Sequence, residues 1–320
     1  DIEVSVVMPV YNEEKYIERC LKSLYIQTYP KESIEWLFID GCSKDKTVEK
    51  IKQFNFPNCY ILKNEKRIVT YALNIGIDHS IGKFIIRMDA HAEYAADYIE
   101  KCVFYLETTD AENVGGIAIT KGNGFIGQAN SEILSSKFGV GNSNFRVGNK
   151  SGYVDTVPFG AFKREVFEKI GKFDVDLPRS EDNDFNSRIR ASGGKVFLAS
   201  DISFTYYCRD TVKGLLGQAL KNGDALFLTI RKNLKAMSLR HYIPFLFVLS
   251  LIVVPIISFF IPLFWLCLIA ESGLYLMLDL FFSFCKGKKK FVLYKLVMYP
   301  LFHIAYGIGS LLGMINVKLY

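Results

Sequence analysis

No glycine-rich phosphate loop follows the first apolar run of this chain. "VSVVMPV" leads into "YNEE", so the G-x-G-x-x-G of a dinucleotide site is missing, and no G-x-x-x-x-G-K-[ST] occurs anywhere in the 320 residues. An NAD-type fold and a P-loop fold are thereby excluded. A strong charge excess is lacking too. The net charge is +6, but six Lys against two acids fall from Tyr242 onward, which leaves only +2 for residues 1–241. Nucleic-acid backbones require clustered cationic charge, so nucleic acid is not expected as a partner. The seven cysteines (20, 42, 59, 102, 208, 267, 285) contain no C-x-x-C pair, and the four histidines are not grouped at zinc spacing. The cysteines therefore read as reduced, packed thiols of a cytoplasmic domain. The first strong run, "EVSVVMPV", is too short and too β-branched for a signal peptide.

What is present is an alternation of strand and helix patterns over the first 120 residues, the mark of βα units and a mostly parallel sheet. Strands are expected at 4–10, 35–40, 59–64, 83–90 and 115–120, with helices at 14–27, 45–54, 70–80 and 95–108. Residues 121–152 turn glycine-rich and polar, which predicts a mobile loop interrupted by one helix near 125–138. A strand near 153–157, helices at 163–170 and 181–192 and a strand at 195–199 complete this part, taken as one domain over 1–210. Residues 211–241 carry Lys and Arg between apolar residues at helical spacing, so the helix either packs on the domain or lies in a membrane interface.

Residues 242–270 hold no charge, and the apolar character continues to Cys285. A span requires roughly 20 apolar residues. Two spans with a break near Pro255 to Pro262 are therefore expected, followed by "KGKKK" at 286–290 on the cytoplasmic side. A third segment, 291–315, carries Lys295, Pro300 and His303 and could span, re-enter or lie flat. Residues 242–320 are accordingly expected to form a multi-pass membrane domain of a cell (inner) membrane, with the N-terminal domain on the cytoplasmic face.

In an open parallel sheet, ligands bind at the carboxyl ends of the strands. Here those ends read "MPVYNEE", "FIDGCSKDKT" and "RMDAHA". Asp40 before Gly41 is either a turn residue or a ligand contact. Asp89 and His91, at i and i+2 on an extended segment, would point to one side and could share a divalent ion; imidazole suits Mn²⁺ better than Mg²⁺. The other reading of His91 is a strand-end residue bonded to backbone. Glu181, Asp182 and Asp184 open a helix, where acids complement the dipole, but an Asp there could also serve as a general base.

Taken together, "VSVVMPVYNEEKYIERCLKSLYIQTYP", "EWLFIDGCSKDKTVEKI", "ALNIGI", "KFIIRMDAHAEY" and "FGAFKREVFEKIGKFDVDLPRSEDNDFNSRIRASG" resemble the family 2 inverting glycosyltransferases of GT-A fold, over roughly residues 3–235. The "DAHA" in place of Asp-x-Asp and the apolar tail are similar to membrane-anchored glucosyltransferases of succinoglycan-type exopolysaccharide assembly.

The resemblance implies a Rossmann-like, mixed and mostly parallel sheet. It makes Pro9, Tyr11 and Glu13 the start of a nucleotide pocket, Asp40 the partner of the uracil edge, and Asn74 with Gly76 an "N-x-G" element beside the donor. Asp89 would face ribose, diphosphate and metal, His91 would be the second metal ligand, and Lys63 and Arg67 would contact diphosphate. Asp182 matches the catalytic base, with Glu181 holding acceptor or base in position.

Implied, then, is transfer of a hexose, glucose favoured, from a UDP-sugar with Mn²⁺ or Mg²⁺ to a lipid-linked saccharide. Diacylglycerol or polyprenyl phosphate are the alternative acceptors. The absence of Q-x-x-R-W after the base implies a non-processive enzyme. The rival of a different class is a silent sugar-nucleotide-binding subunit of a polysaccharide assembly complex. Assembly partners or self-association would accompany either reading.

Overall fold

The computed structural model describes residues 1–148 and 150–317. In chain order the elements are β1 (Val4–Val10), α1 (Ile17–Tyr25), β2 (Ile34–Asp40), α2 (Thr47–Gln53), β3 (Cys59–Lys63), α3 (Val69–His79), β4 (Phe84–Arg87), β5 (Ala92–Tyr94), α4 (Tyr98–Thr108) and β6 (Asn113–Lys121). There follow α5 (Gly124–Leu134), α6 (Lys137–Val140), α7 (Asn144–Val147), β7 (Gly152–Tyr153), β8 (Ala161–Lys163), α8 (Glu165–Ile170), α9 (Glu181–Ala191), β9 (Val196–Tyr207), α10 (Val212–Lys232), α11 (Leu239–Phe260), α12 (Phe264–Cys285) and α13 (Val292–Met314). Packing divides them into two units: Asp1–Ile119 with Gly148–Tyr207, and Thr120–Val147 with the chain from Cys208 onward.

The first unit is the expected α/β architecture. Among the described residues the strands run in the order β3-β2-β1-β4-β8-β6-β9-β5, with β7 on β9. β1 pairs in parallel with β2 and with β4, and β2 in parallel with β3. Every residue of β2 is buried, as expected of a parallel strand covered on both faces. Its Trp36 and Phe38, two apart and so on one face, both meet the ring of Phe56. α1 buries Ile17, Cys20, Leu21 and Leu24, the three-and-four spacing of an amphipathic helix.

Several strands differ from expectation: β7 is confined to Gly152–Tyr153, β8 was not expected, and β9 runs on to Tyr207. β4 ends at Arg87 rather than 90, because the chain turns at 90–91 and restarts as β5, which pairs antiparallel with β9. The short β5 carries too few residues for its alternation to be read from sequence.

The second unit takes in residues 120–147, most of the segment expected as a mobile loop with one helix near 125–138. Residues 124–147 form three helices rather than one, and α5 and α6 are fastened to α13 by a ladder of polar contacts. Tyr294 Oη donates to Asn130 (2.7 Å), Lys295 Nζ to Glu132 (3.0 Å) and Tyr299 Oη to Ser136 (2.8 Å), while His303 Nε2 lies 2.9 Å from the Phe138 carbonyl. Lys295, Tyr299 and His303 are four apart and share one face of α13. α10 also packs along α13, where the helices approach so closely that a Cβ on Gly309 would lie 1.9 Å from the Leu220 carbonyl oxygen.

Among the described residues three helices are long and apolar enough to cross a membrane: Leu239–Phe260, Phe264–Cys285 and Lys289–Met314. The break at 261–263 falls within the stretch expected for it, and the third segment is one continuous helix through Pro300.

In the first unit the site depends on α3 lying flat on β1. Gly76 permits this, since a Cβ there would sit 2.3 Å from Val7 Cγ1 in the core. Gly76→Ala is therefore expected to destabilise the fold by about 1–3 kcal/mol through overpacking, read as a fall of several degrees in the thermal midpoint of the purified protein. An unchanged midpoint would show that β1 and α3 can separate at little cost.

Candidate active site

Parallel register sets Val10, Asp40 and Lys63 level at the carboxyl edge of the sheet. The turns that follow are locked to one another. Both Asp40 carboxylate oxygens accept the Ser43 N–H (3.1 and 3.2 Å), Asn12 Oδ1 accepts the Lys44 N–H (2.8 Å), and Thr47 Oγ1 accepts the Glu13 N–H (2.7 Å). Asp40 thus fills the turn role, with further lone pairs open to a ligand. The Tyr11 ring lies over Gly41, where a Cβ would come within 3.1 Å of it, and the Arg67 guanidinium stands 5.6 Å from the same ring. Tyr11, Asp40 and Arg67 are therefore brought together, with Pro9 one place inside the edge, beside Ile39. Lys63, at the end of β3, is exposed.

Sequence reasoning missed Asn64 here. It is 3 % exposed and its N–H donates to the Asp40 carbonyl (2.8 Å), yet its side-chain oxygen accepts no hydrogen bond. A buried amide oxygen without a partner is uncommon, and here it lies directly beneath the edge that Asp40 forms. The signal was one polar residue closing the apolar run "CYILKN".

"RMDAHA" does not stay extended, which corrects the expected side-by-side placement of Asp89 and His91. Asp89 Oδ1 accepts the His91 N–H (2.8 Å), and the imidazole turns to Glu13, with Nε2 3.1 Å from Oε1. Tyr16 packs on the imidazole, its ring centroid 5.0 Å away. Glu13 and His91 thus tie the β1 turn to the β4 turn. Among the described residues no group of three or more His, Cys, Asp or Glu is arranged as a metal cage. The donors present, one carboxylate and an imidazole beside a second carboxylate, fit an open site completed by substrate oxygens, as Mg²⁺ and Mn²⁺ sites on phosphates are.

The most distinctive cluster lies at the start of α9. Arg87, at the end of β4, sends Nη2 to Glu181 Oε1 (2.7 Å) and Nη1 to Asp182 Oδ1 (2.5 Å). Its side chain is 8 % exposed, that of Glu181 11 % and that of Asp182 23 %. These are not solvated first-turn acids complementing a dipole. Asp184 is the structural one of the three, paired to Arg188 one turn on (3.0 Å).

Desolvation pushes the Asp182 carboxyl up to about 7; Arg87 opposes this and the Glu181 charge adds to it. Burial alone would lower the Arg87 pKa, but Asp182 and Glu181 together raise it and keep the guanidinium charged. Strained backbone flanks the pair: Ser180 has φ +61° and Phe159 φ +63°, and the Phe159 N–H points to Asp182 Oδ2 at 3.3 Å. Stacking of Phe185 on Phe167 and Phe173 (5.1 and 4.6 Å) fixes α9 below. Sequence reading found both acids but not Arg87, whose signal was a charge inside the apolar run "KFIIRMDA".

The expected donor role of Asn74 is revised. Its Nδ2 donates to the Phe173 carbonyl (2.9 Å) and its Oδ1 accepts the Phe173 N–H (3.0 Å). Both ends of the amide brace the chain leading to α9.

The sequence profile described as "Glycosyl transferase family 2" matches residues 5–171. A Methanococcus voltae protein named dolichyl N-acetyl-alpha-D-glucosaminyl phosphate 3-beta-D-2,3-diacetamido-2,3-dideoxy-beta-D-glucuronosyltransferase is 32% identical over 81% of this chain and 83% of its own. Succinoglycan biosynthesis protein ExoA of Rhizobium meliloti is 27% identical over 75% of this chain and 73% of its own. Among solved structures, a mannosyltransferase of Pyrobaculum calidifontis in complex with GDP-Man and Mn²⁺ superposes with a TM-score of 0.65 at 19% identity, covering 97% of this chain and 87% of that one. That likeness shows the GT-A type fold.

Asn74→Ala separates bracing from ligand contact. The loss of two hydrogen bonds is expected to cost about 1–2 kcal/mol of stability, seen as a lower thermal midpoint, with UDP affinity by calorimetry unchanged. A large fall in UDP affinity at an unchanged midpoint would return Asn74 to the donor site.

Proposed function

We propose that this chain, which belongs to glycosyl transferase family 2, is an inverting, non-processive transferase that moves a hexose from a UDP-sugar to a lipid-linked saccharide. The observation that carries the reading is the cluster at the start of α9: Asp182 beside Glu181, with the buried Arg87 guanidinium 2.5 Å from Asp182 Oδ1 and 2.7 Å from Glu181 Oε1, and burial raising the Asp182 carboxyl. A general base works best when its pKa lies near the working pH. Asp182 is the active base when deprotonated, so activity is present above its pKa and is lost as pH falls through it.

In this mechanism Asp182 takes the proton of an acceptor hydroxyl, the oxygen attacks the anomeric carbon from the face opposite the nucleotide, and UDP leaves. One in-line displacement inverts an α-linked donor to a β-linked product. Tyr11 and Asp40 receive the base, and Arg67 neutralises diphosphate. Asp89 and His91, with Glu13 beside them, would hold a divalent cation against the diphosphate, and such an ion supplies charge neutralisation to the leaving group.

Support for a lipid-linked acceptor comes from the relative named for a dolichyl-linked sugar and from the three helices of membrane-spanning length. A multi-pass position in the cell membrane, with the catalytic unit on the cytoplasmic face, follows from the lysines at 286–290. Glucose is the first hexose to offer, on the resemblance to glucosyltransferases. The Methanococcus relative's name makes UDP-linked acetamido and uronic sugars the next.

The test is UDP release from a panel of UDP-sugars by membranes containing the protein, supplied with lipid extract, with EDTA, Mg²⁺ or Mn²⁺. One donor should be turned over, and Asp182→Asn should lower kcat by about 10²–10⁴ while still binding UDP. His91→Ala should weaken activation by the metal. Full activity in Asp182→Asn would remove the base, and no turnover of any donor would favour a binding subunit.

A further inference from the structure

We infer that Arg87 is a positioning residue of the acceptor half of the reaction: its guanidinium fork holds Oδ1 of Asp182 and thereby reserves Oδ2 for the proton. This rests on the reading of Asp182 as the base. The geometry is specific. A buried guanidinium needs only one carboxylate for charge balance, yet both arms of Arg87 go to acids adjacent in sequence, at 2.7 and 2.5 Å. The trio therefore carries an excess negative charge in a poorly solvated place, and one proton can relieve it. Asp182 Oδ2 meets only the long contact from the Phe159 N–H (3.3 Å).

The charged groups whose fields reach Asp182 are Arg87 from β4 and Glu181 from its own helix, and the Phe159 N–H comes from the segment before β8. Asp89, two residues beyond Arg87, acts on the guanidinium at longer range. Asp184 faces Arg188 instead. Arg87 holds the base on the acceptor side, and the strand it ends leads directly to Asp89 on the donor side. One side chain thus relates the two halves of the site in space.

The two partners pull in opposite directions. Removing the Arg87 charge leaves burial and Glu181 to raise the Asp182 pKa further, so the acid limb of activity should move to higher pH. Removing the Glu181 charge leaves Arg87 unopposed, and the limb should move to lower pH.

The experiment measures kcat against pH for the full-length protein in detergent, as wild type, Arg87→Met, Arg87→Lys, Glu181→Gln and Asp182→Asn, with UDP binding in parallel. In Arg87→Met the limb should rise by about one pH unit or more. Its deficit, expected at roughly tenfold to a hundredfold near neutrality, should shrink as pH increases, with UDP affinity unchanged. Arg87→Lys keeps the charge without the fork and should fall between wild type and Arg87→Met. Glu181→Gln should shift the limb downward.

Loss by the same factor at every pH in Arg87→Met would overturn the inference and mark Arg87 as scaffold only. Should that variant not fold, Arg87→Lys with an unmoved limb and wild-type kcat overturns it equally. If Asp182→Asn is fully active, it is the base assignment that fails. An inactive Asp182→Asn beside an unshifted Arg87 profile sinks the Arg87 inference alone.

Discussion

A guanidinium buried at the end of a central strand cannot stand without negative charge beside it. Leaving Arg87 unpaired among β1, β4 and β8 would cost several kcal/mol, so the chain must return carboxylates to the edge of β4 from almost a hundred residues away. Much of the first unit between 159 and 191 follows from that demand. The Arg87 N–H donates to the Gly160 carbonyl (3.0 Å), which places Phe159 in its left-handed conformation against Asp182. Ser180 takes a left-handed turn to start α9, and it caps no backbone group with its side chain. Further back, Asn74 grips Phe173, and Arg188 reaches the Ile170 and Lys172 carbonyls (3.0 and 2.8 Å). Each contact fixes the approach of α9.

Much of this was legible in the sequence where one local pattern dominated. The first four strands and their helices alternate cleanly, because buried parallel strands are apolar throughout and their crossovers are amphipathic. The acids at 181 and 182 stood out for the same reason: three carboxylates in four residues is a local signal. What was missed depends on partners distant in sequence. Arg87 reads as an interruption of a strand until Glu181 and Asp182 arrive, and Asn64 reads as the polar end of a strand until its oxygen is seen to be buried without a partner. Asn74 shows the converse error: its type and position suggested a ligand, while its actual partner is backbone 99 positions away.

The second unit repeats the lesson in apolar surroundings. Glycine and polar residues between 121 and 147 look like a mobile loop when read alone. Their order comes from α13, an apolar helix that carries Lys295, Tyr299 and His303 on one face. Such groups are costly in a hydrocarbon environment unless each finds a partner. Here Glu132, Ser136 and the Phe138 carbonyl supply them. The glycines of the region then serve packing: a Cβ on Gly139 would lie 2.0 Å from the Ile133 carbonyl oxygen. A segment without its own core is ordered by the polar demand of the helix it meets.

The same logic accounts for the histidine where an Asp-x-Asp motif would carry its second acid. The side chain at 91 turns toward Glu13, and a carboxylate in that place would stand against another carboxylate. Two such groups about 3 Å apart cannot both stay ionised without a cation between them. An imidazole can face Glu13 as a hydrogen-bond donor, or as a cation when protonated, and the Tyr16 ring packs beside it. His91 and Glu13 therefore form one contact made from two strand ends. The contact joins the turn after β1 to the turn after β4, and Asp89 Oδ1 closes the latter by accepting the His91 N–H.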